Sequence, residues 1–249
     1  REYRPGDDVR DIDWNVPARS RKPHIKTYEE ERELTMMLLV DVSGSRMFGT
    51  TDRLKKNVIT EIAAVLAFSA AQNNDKVGCI FFSDRIEKFI PPKKGRSHIR
   101  MIIRELIGFV PRSSGTRLSE PIRFLTNVNK KHTTSFILSD FMDAPSDDAD
   151  LADALKIAGS RHDLVGIRVY DPREQTLPDV GIVEMKDAET GRKVWVDTSS
   201  RRVRDHYAAH WQQNAGRIAD TLRHHRIDTA EVATDADYVV ELIKLFKQR

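Results

Sequence analysis

The chain has 249 residues, and its 41 Lys and Arg against 38 Asp and Glu leave a formal charge of only +3. So even a balance carries no electrostatic footprint for nucleic acid or an acidic membrane surface, and no apolar run approaches the roughly 18–20 residues that span a bilayer. A single cysteine excludes an intramolecular disulfide framework and a multi-thiolate metal site, and suits a reducing, cytoplasmic setting. The sequence opens on Arg1 without a signal-peptide pattern. It reads as part of a longer chain, with a membrane anchor upstream left open as a route to membrane association.

Residues 1–33 are polar and charged, and Pro5, Pro17 and Pro23 interrupt any long helix. Tyr3, Ile12, Trp14 and Val16 are the apolar side chains there that a neighbouring surface could take. The character changes at Leu34. Leu34 to Val40 is a continuous apolar run stopping at Asp41, the pattern of a strand buried on both faces. From Arg53 to Gln72, Leu54, Val58, Ile59, Ile62, Leu66 and Ala70 recur at helical spacing. Val77 to Phe82 is a second buried strand, and Arg85 to Ile90 its hairpin partner, ended by Pro91-Pro92. Helices are expected over Arg96–Val110 and Leu118–Val128, then a third buried strand over Thr134–Ser139, again followed by an Asp. Asp148–Gly159 reads as a helix and Leu164–Tyr170 as a fourth strand. Gly181–Met185 and Lys193–Asp197 flank a turn at Asp187–Gly191 and predict a β-hairpin. A long helix from Ser200 to about Arg223, a short strand near Thr229–Ala233 and a helix from Tyr238 complete the chain. Buried strands alternating with amphipathic helices predict an α/β fold: a doubly wound, mostly parallel sheet with helices on both faces. The expected division is a mostly irregular N-terminal extension, 1–33, and one α/β domain, 34–249.

The chemistry concentrates in Val40-Asp-Val-Ser-Gly-Ser-Arg46. In a parallel sheet the carboxyl ends of the strands, near the switch in strand order, form the crevice where ligands bind. Asp41, Ser43 and Ser45 leave the first strand there, Asp140 leaves the third, and Thr116 lies in the loop Ser113–Leu118. Five oxygen donors without His or thiolate make a hard set suited to Mg²⁺ or Mn²⁺. Two carboxylates balance a dication, while the hydroxyls add dipoles and no charge. An octahedral ion so held can accept an outside anion, and the Asp or Glu of a partner protein is the natural one. Taken singly, these residues have simpler uses. Asp41 could cap the next helix, Ser43 and Ser45 could satisfy turn amides, and Thr116 could cap the helix near Leu118 with Glu120.

Asp41-x-Ser43-x-Ser45, then Thr116, then Asp140 resembles the metal-ion-dependent adhesion site of von Willebrand factor A domains, in order and in structural context. The resemblance implies that the hydroxyls bind the ion directly and the carboxylates largely through water. The front of the chain, Arg1-Glu-Tyr-Arg-Pro-Gly-Asp-Asp-Val-Arg-Asp-Ile-Asp-Trp14 with Ala18-Arg19 and the acidic run Glu29–Glu33, is similar to the domain of unknown function 58 family. That resemblance implies a bacterial, metal-dependent adaptor or scaffold acting with a MoxR-type AAA+ ATPase or with Bat-type A-domain proteins. Arg46 departs from the uncharged residue common after the last Ser. It either repels a cation or holds a partner's acid, and a turn there readily carries it outward. Arg46 and Trp14 are thus the candidate partner-binding residues.

A rival reading is a Mg²⁺-dependent phosphotransferase with Asp41 as nucleophile. That chemistry wants an acid two residues later to protonate the leaving group, and the position is Ser43. A metal-free structural domain is the third reading, with Arg46 its support. The sequence contains no phosphate-binding Gly-x-x-x-x-Gly-Lys-Ser/Thr loop, His-Glu-x-x-His or Gly-x-Ser-x-Gly motif.

Overall fold

A computed structural model describes residues 2–4, 8–13, 24–26, 33–47, 53–142, 148–186 and 191–249. Two compact units emerge, Arg1–Glu33 and Leu34–Arg249. In the first, a 3-10 turn spans Val9–Asp11. Antiparallel bridges join Glu2 to His24 and Ile12 to Ile25. The Asp13 N–H donates to the His24 carbonyl at 2.8 Å and the Lys26 N–H to that of Asp11 at 2.9 Å. Trp14, Val16 and most of the acidic run lie outside the described residues.

The second unit is built on a six-stranded sheet. Its strands are β1 (Thr35–Asp41), β2 (Lys76–Phe82), β3 (Ile86–Lys93), β4 (Thr134–Ser139), β5 (Asp163–Tyr170) and, late in the chain, β8 (Asp228–Ala233). Their order is β3-β2-β1-β4-β5-β8. All neighbours run parallel except β2 and β3. The remaining strands, β6 (Ile182–Lys186) and β7 (Lys193–Asp197), pair with each other as an antiparallel hairpin. Residues 187–190 of its turn lie outside the described residues.

The helices are α1 (Lys55–Gln72), α2 (Arg96–Gly108), α3 (Ser119–Val128), α4 (Asp148–Gly159), the single turn α5 (Pro172–Gln175), α6 (Arg201–His224) and α7 (Tyr238–Gln248). Alternation along β1 divides the core between two layers. Leu38 and Val40 pack with Val58 and Ile62 of α1, Ile102 of α2 and Leu242 of α7. Met37 and Leu39 pack with Ile122 of α3, Leu155 of α4 and Leu222 of α6. Each side chain of this size buried from water is worth roughly 1.5–3 kcal/mol, so the sheet is held from both faces.

One element ends later than the sequence predicts. Instead of stopping at Ile90, β3 continues through Pro91 and Pro92 to Lys93, which pairs with Val77 across a register shift. Proline removes a ladder donor, but β3 is an edge strand open on one side, and its register with β2 shifts across Pro91-Pro92, so neither position needs a ladder N–H. Beside it, β2 carries Gly78 for a packing reason. A Cβ there would stand 2.6 Å from Met37 Sδ and 3.0 Å from the Ile90 carbonyl oxygen. Gly78→Ala is therefore expected to cost about 1–3 kcal/mol through overpacking; chemical denaturation checks this, and an unchanged midpoint contradicts it.

Candidate metal centre

From β1 the chain moves to β2 on one side and later to β4 on the other, so the β1/β4 boundary is the switch point of the sheet. Asp41 is the last residue of β1, and Asp140 follows the last residue of β4. Both are buried. After Asp41 the chain turns sharply through a 3-10 segment, Gly44–Met47. Asp41 forms that turn itself, accepting the Ser43 N–H on Oδ1 at 2.8 Å. Its Oδ2 accepts the Ser139 hydroxyl of the neighbouring strand at 2.6 Å. The Ser43 and Ser45 hydroxyls lie 3.0 Å apart, and the Ser45 hydroxyl helps to lower the Asp140 pKa.

Asp140 is fixed by a second sharp turn. Phe141 adopts φ 57°, a left-handed conformation that costs energy for a residue with a Cβ. Two side chains brace it. The Phe141 N–H donates to Ser139 Oγ at 3.0 Å, and the Met142 N–H to Asp140 Oδ1 at 3.1 Å. The third segment is the loop before α3. The Gly44 N–H donates to the Ser114 carbonyl at 2.9 Å and the Arg117 N–H to that of Ser83 at 3.1 Å, tying this loop to the serine turn and to the end of β2. Thr116 is buried there, and its Oγ1 has no hydrogen-bond partner among the described residues. It does not cap α3, whose N-cap position is Leu118, with no side-chain capping bond.

Two further residues belong to this cluster. Lys55, the first residue of α1, is buried, and its Nζ lies 2.7 Å from Asp140 Oδ2 and 2.6 Å from Glu174 Oε1. Glu174 comes from α5, a turn capped at both ends of one box. Asp171 accepts the Arg173 N–H at 2.8 Å, and Glu174 Oε2 accepts the Asp171 N–H at 3.1 Å. The Thr234 hydroxyl holds Asp171 from the other side at 3.1 Å.

The electrostatics follow. Burial, then the neighbouring Asp140 charge, pushes Asp41 up to about 6, against the pull of Ser139 and Ser43. Burial also opposes the Asp140 charge, but the Lys55 ammonium, with the Ser45 hydroxyl and the Met142 N–H, holds Asp140 below the usual carboxylate range. Glu174 is raised by burial, with Lys55 partly offsetting it. Asp140 and Glu174 share the Lys55 ammonium, whereas Asp41 is met by the Ser139 hydroxyl, the Ser43 N–H and, without a direct bond, the Arg46 charge. The Arg46 guanidinium itself is engaged elsewhere. The side chain turns to the Phe109 carbonyl at 2.6 Å, its Nε lacks a partner among the described residues, and burial lowers its pKa. Arg46 is buried, with its guanidinium on the Phe109 carbonyl rather than at the surface.

Two carboxylates, a pair of touching serine hydroxyls and a tied-in loop with an orphaned threonine hydroxyl suit a small, hard dication. The ion would supply positive charge where two buried carboxylates repel, and would give Thr116 Oγ1 a partner. Asp41, Ser43, Ser45, Thr116 and Asp140 are the residues that would hold it.

The strand order, the antiparallel edge strand at β3 and the Asp-x-Ser-x-Ser turn at the switch point define a von Willebrand factor A-like domain. A model of the family described as "Protein of unknown function DUF58" matches residues 1–217, and the chain belongs to that family. The uncharacterised protein Rv1480 of Mycobacterium tuberculosis is 30% identical over 253 residues, covering 100% of this chain and 78% of its own length. Among solved structures, BatB from Bacteroides thetaiotaomicron is similar with a TM-score of 0.53 at 16% identity, covering 86% of this chain and 99% of that one. An aerotolerance-related membrane protein from Bacteroides fragilis gives 0.54 at 14% identity, with the same coverage. At such identities the likeness is one of fold. In this chain, no helix among the described residues is long and apolar enough to cross a membrane.

Proposed function

We propose that the protein is a metal-dependent protein-binding module. Asp41, Ser43, Ser45, Thr116 and Asp140 hold Mg²⁺ or Mn²⁺, and an Asp or Glu side chain of a partner completes the coordination. The observation that carries this reading is the buried Thr116 Oγ1, without a hydrogen-bond partner among the described residues, in a loop that the Gly44 N–H ties to the serine turn where Asp41 and Asp140 oppose each other's charge. A buried hydroxyl without a partner costs about 1–3 kcal/mol, and an oxygen-seeking dication removes that cost. The partner class that fits the family resemblance is a MoxR-type AAA+ ATPase or a Bat-type A-domain protein.

The protein's own groups divide the work. The hydroxyls of Ser43, Ser45 and Thr116 carry no charge, so they leave the ion electrophilic toward an incoming carboxylate. Asp41 and Asp140, anchored by the N–H groups of Ser43 and Met142, fix where that carboxylate docks. A nucleophilic Asp41 is disfavoured, because both its oxygens already accept hydrogen bonds and position 43 is a serine. No turnover of aryl phosphates is expected.

Thr116→Val tests the assignment. Valine keeps the shape and removes a hydroxyl with no hydrogen-bond partner among the described residues, so stability in chelator is expected to stay equal or rise by about 1 kcal/mol. Mn²⁺ affinity by calorimetry is expected to fall at least about ten-fold. Unchanged affinity removes Thr116 from the site. Asp41→Ala is expected to abolish both Mn²⁺ binding and capture of a purified MoxR-type partner; capture that survives the mutation in chelator contradicts the mechanism.

A further inference from the structure

Lys55 is out of place by ordinary helix rules. A cation in the first turn of a helix meets the positive end of the macrodipole, and this one lies on the buried stripe with Val58, Ile59 and Ile62. Two carboxylates from distant parts of the chain hold it there, Asp140 after β4 and Glu174 in α5. Only Asp140 belongs to the set of oxygens assigned to the ion. Glu174 sits one step further out, with its second oxygen fixed by the Asp171 N–H.

We propose that the Lys55 ammonium is a tethered cation that competes with the divalent ion for Asp140, and that Glu174 is the rest position that draws Lys55 away. The inference rests on the metal-binding reading above. Lys55 already touches both carboxylates, so moving its share of charge onto Glu174 needs no large rearrangement of α1. With Lys55 held by Glu174, Asp140 presents a full negative charge to the ion. With Glu174 neutral, Lys55 stays on Asp140 and repels the ion. Lys55 and Glu174 thus set the affinity without being ligands. They also join the site to α5, from which the chain continues toward the β6–β7 hairpin.

The two residues are predicted to act with opposite signs, which a purely structural role does not produce. The test titrates Mn²⁺ alone, by calorimetry, into the chelator-stripped full chain carrying no substitution, Glu174→Gln, Lys55→Met or Lys55→Met/Glu174→Gln. Glu174→Gln is expected to weaken binding about ten-fold, and the double variant to bind about ten-fold or more tighter than Glu174→Gln. On the Lys55→Met background the effect of Glu174→Gln shrinks toward nothing. Because Lys55→Met alone leaves two buried carboxylates without their ammonium, the comparison between Glu174→Gln and the double variant decides if the single variant does not fold. Binding by the double variant with none by the unsubstituted chain also supports competition. Equal affinities of Glu174→Gln and the double variant, with Mn²⁺ bound by both, overturn the role of Lys55 and leave the metal site standing. No binding by any of the proteins overturns the site and the competition together.

Discussion

Asp41→Asn is expected to stabilise the protein in chelator at pH 7 and, in the same variant, to abolish the stabilisation that Mn²⁺ gives the unsubstituted chain. The reason lies in the raised pKa of Asp41. Its value in the fold is about 6, against an ordinary 3.8, because burial and Asp140 both oppose its charge. Between those values the folded protein holds a proton that the unfolded chain releases. Stability without metal therefore falls as pH rises through this window, by about 3 kcal/mol in all, and stays lowered above it. Asparagine carries no charge at any pH. It keeps an oxygen for the Ser43 N–H and offers an N–H₂ to Ser139 Oγ in place of the acceptor that is lost. The gain over the unsubstituted chain is thus expected near its full size at pH 7 and close to nil at pH 4. Asp140 does not mask the comparison, since its own lowered pKa favours stability above the carboxylate range and acts in both proteins. Urea denaturation at the two pH values in chelator checks this. A loss of stability at pH 7 contradicts the electrostatic account of the site.

The second large effect is expected at Lys55. Removing one member of a buried ion pair strands the other charge away from water and costs roughly 3–5 kcal/mol. Here two carboxylates are stranded, Asp140 and Glu174. Lys55→Met is therefore expected to destabilise the chelated protein by at least that range, and Lys55→Met/Glu174→Gln by clearly less. Mn²⁺ is expected to restore part of the loss, since it replaces the missing charge beside Asp140. Thermal denaturation with and without Mn²⁺ reads all three. A Lys55→Met protein as stable as the unsubstituted one would mean that Lys55 is not the counter-charge of the cluster.

The sequence made most of the sheet readable because its strands are buried on both faces. Leu34–Val40 and Val77–Phe82 are mostly apolar runs and Thr134–Ser139 has an apolar centre at Phe136–Leu138, and each ends near where the strand ends. The same property hid how the layers divide, since Leu38 and Leu39 look alike in sequence yet face opposite helices. Pro91-Pro92 gave a false stop, because whether a proline ends a strand depends on which edge the strand occupies, and that is a tertiary fact.

At the site, the Asp-x-Ser-x-Ser spacing was visible because one tight turn gathers it. Lys55 and Glu174 were missed, although each left a signal. Lys55 falls at the start of the apolar stripe of α1, three and four residues before Val58 and Ile59, where a solvated lysine does not belong. Asp171-Pro-Arg-Glu174 has the spacing of a capping box with proline at the first helical position, which marks a short helical turn at the end of β5. That Lys55 bridges Asp140 and Glu174 was not legible, because the contact joins three segments far apart in the chain. Ser139 was missed for the same reason, as its bond to Asp41 crosses between neighbouring strands.

Crystals of the full chain grown with Mn²⁺, measured at the manganese absorption edge, test the central claim most directly. The account predicts one anomalous peak at coordination distance from the Ser43, Ser45 and Thr116 hydroxyls, between Asp41 and Asp140, with Lys55 kept by Glu174. Saturating Mn²⁺ with no peak in that position, and Lys55 still bridging Asp140 and Glu174, would contradict it.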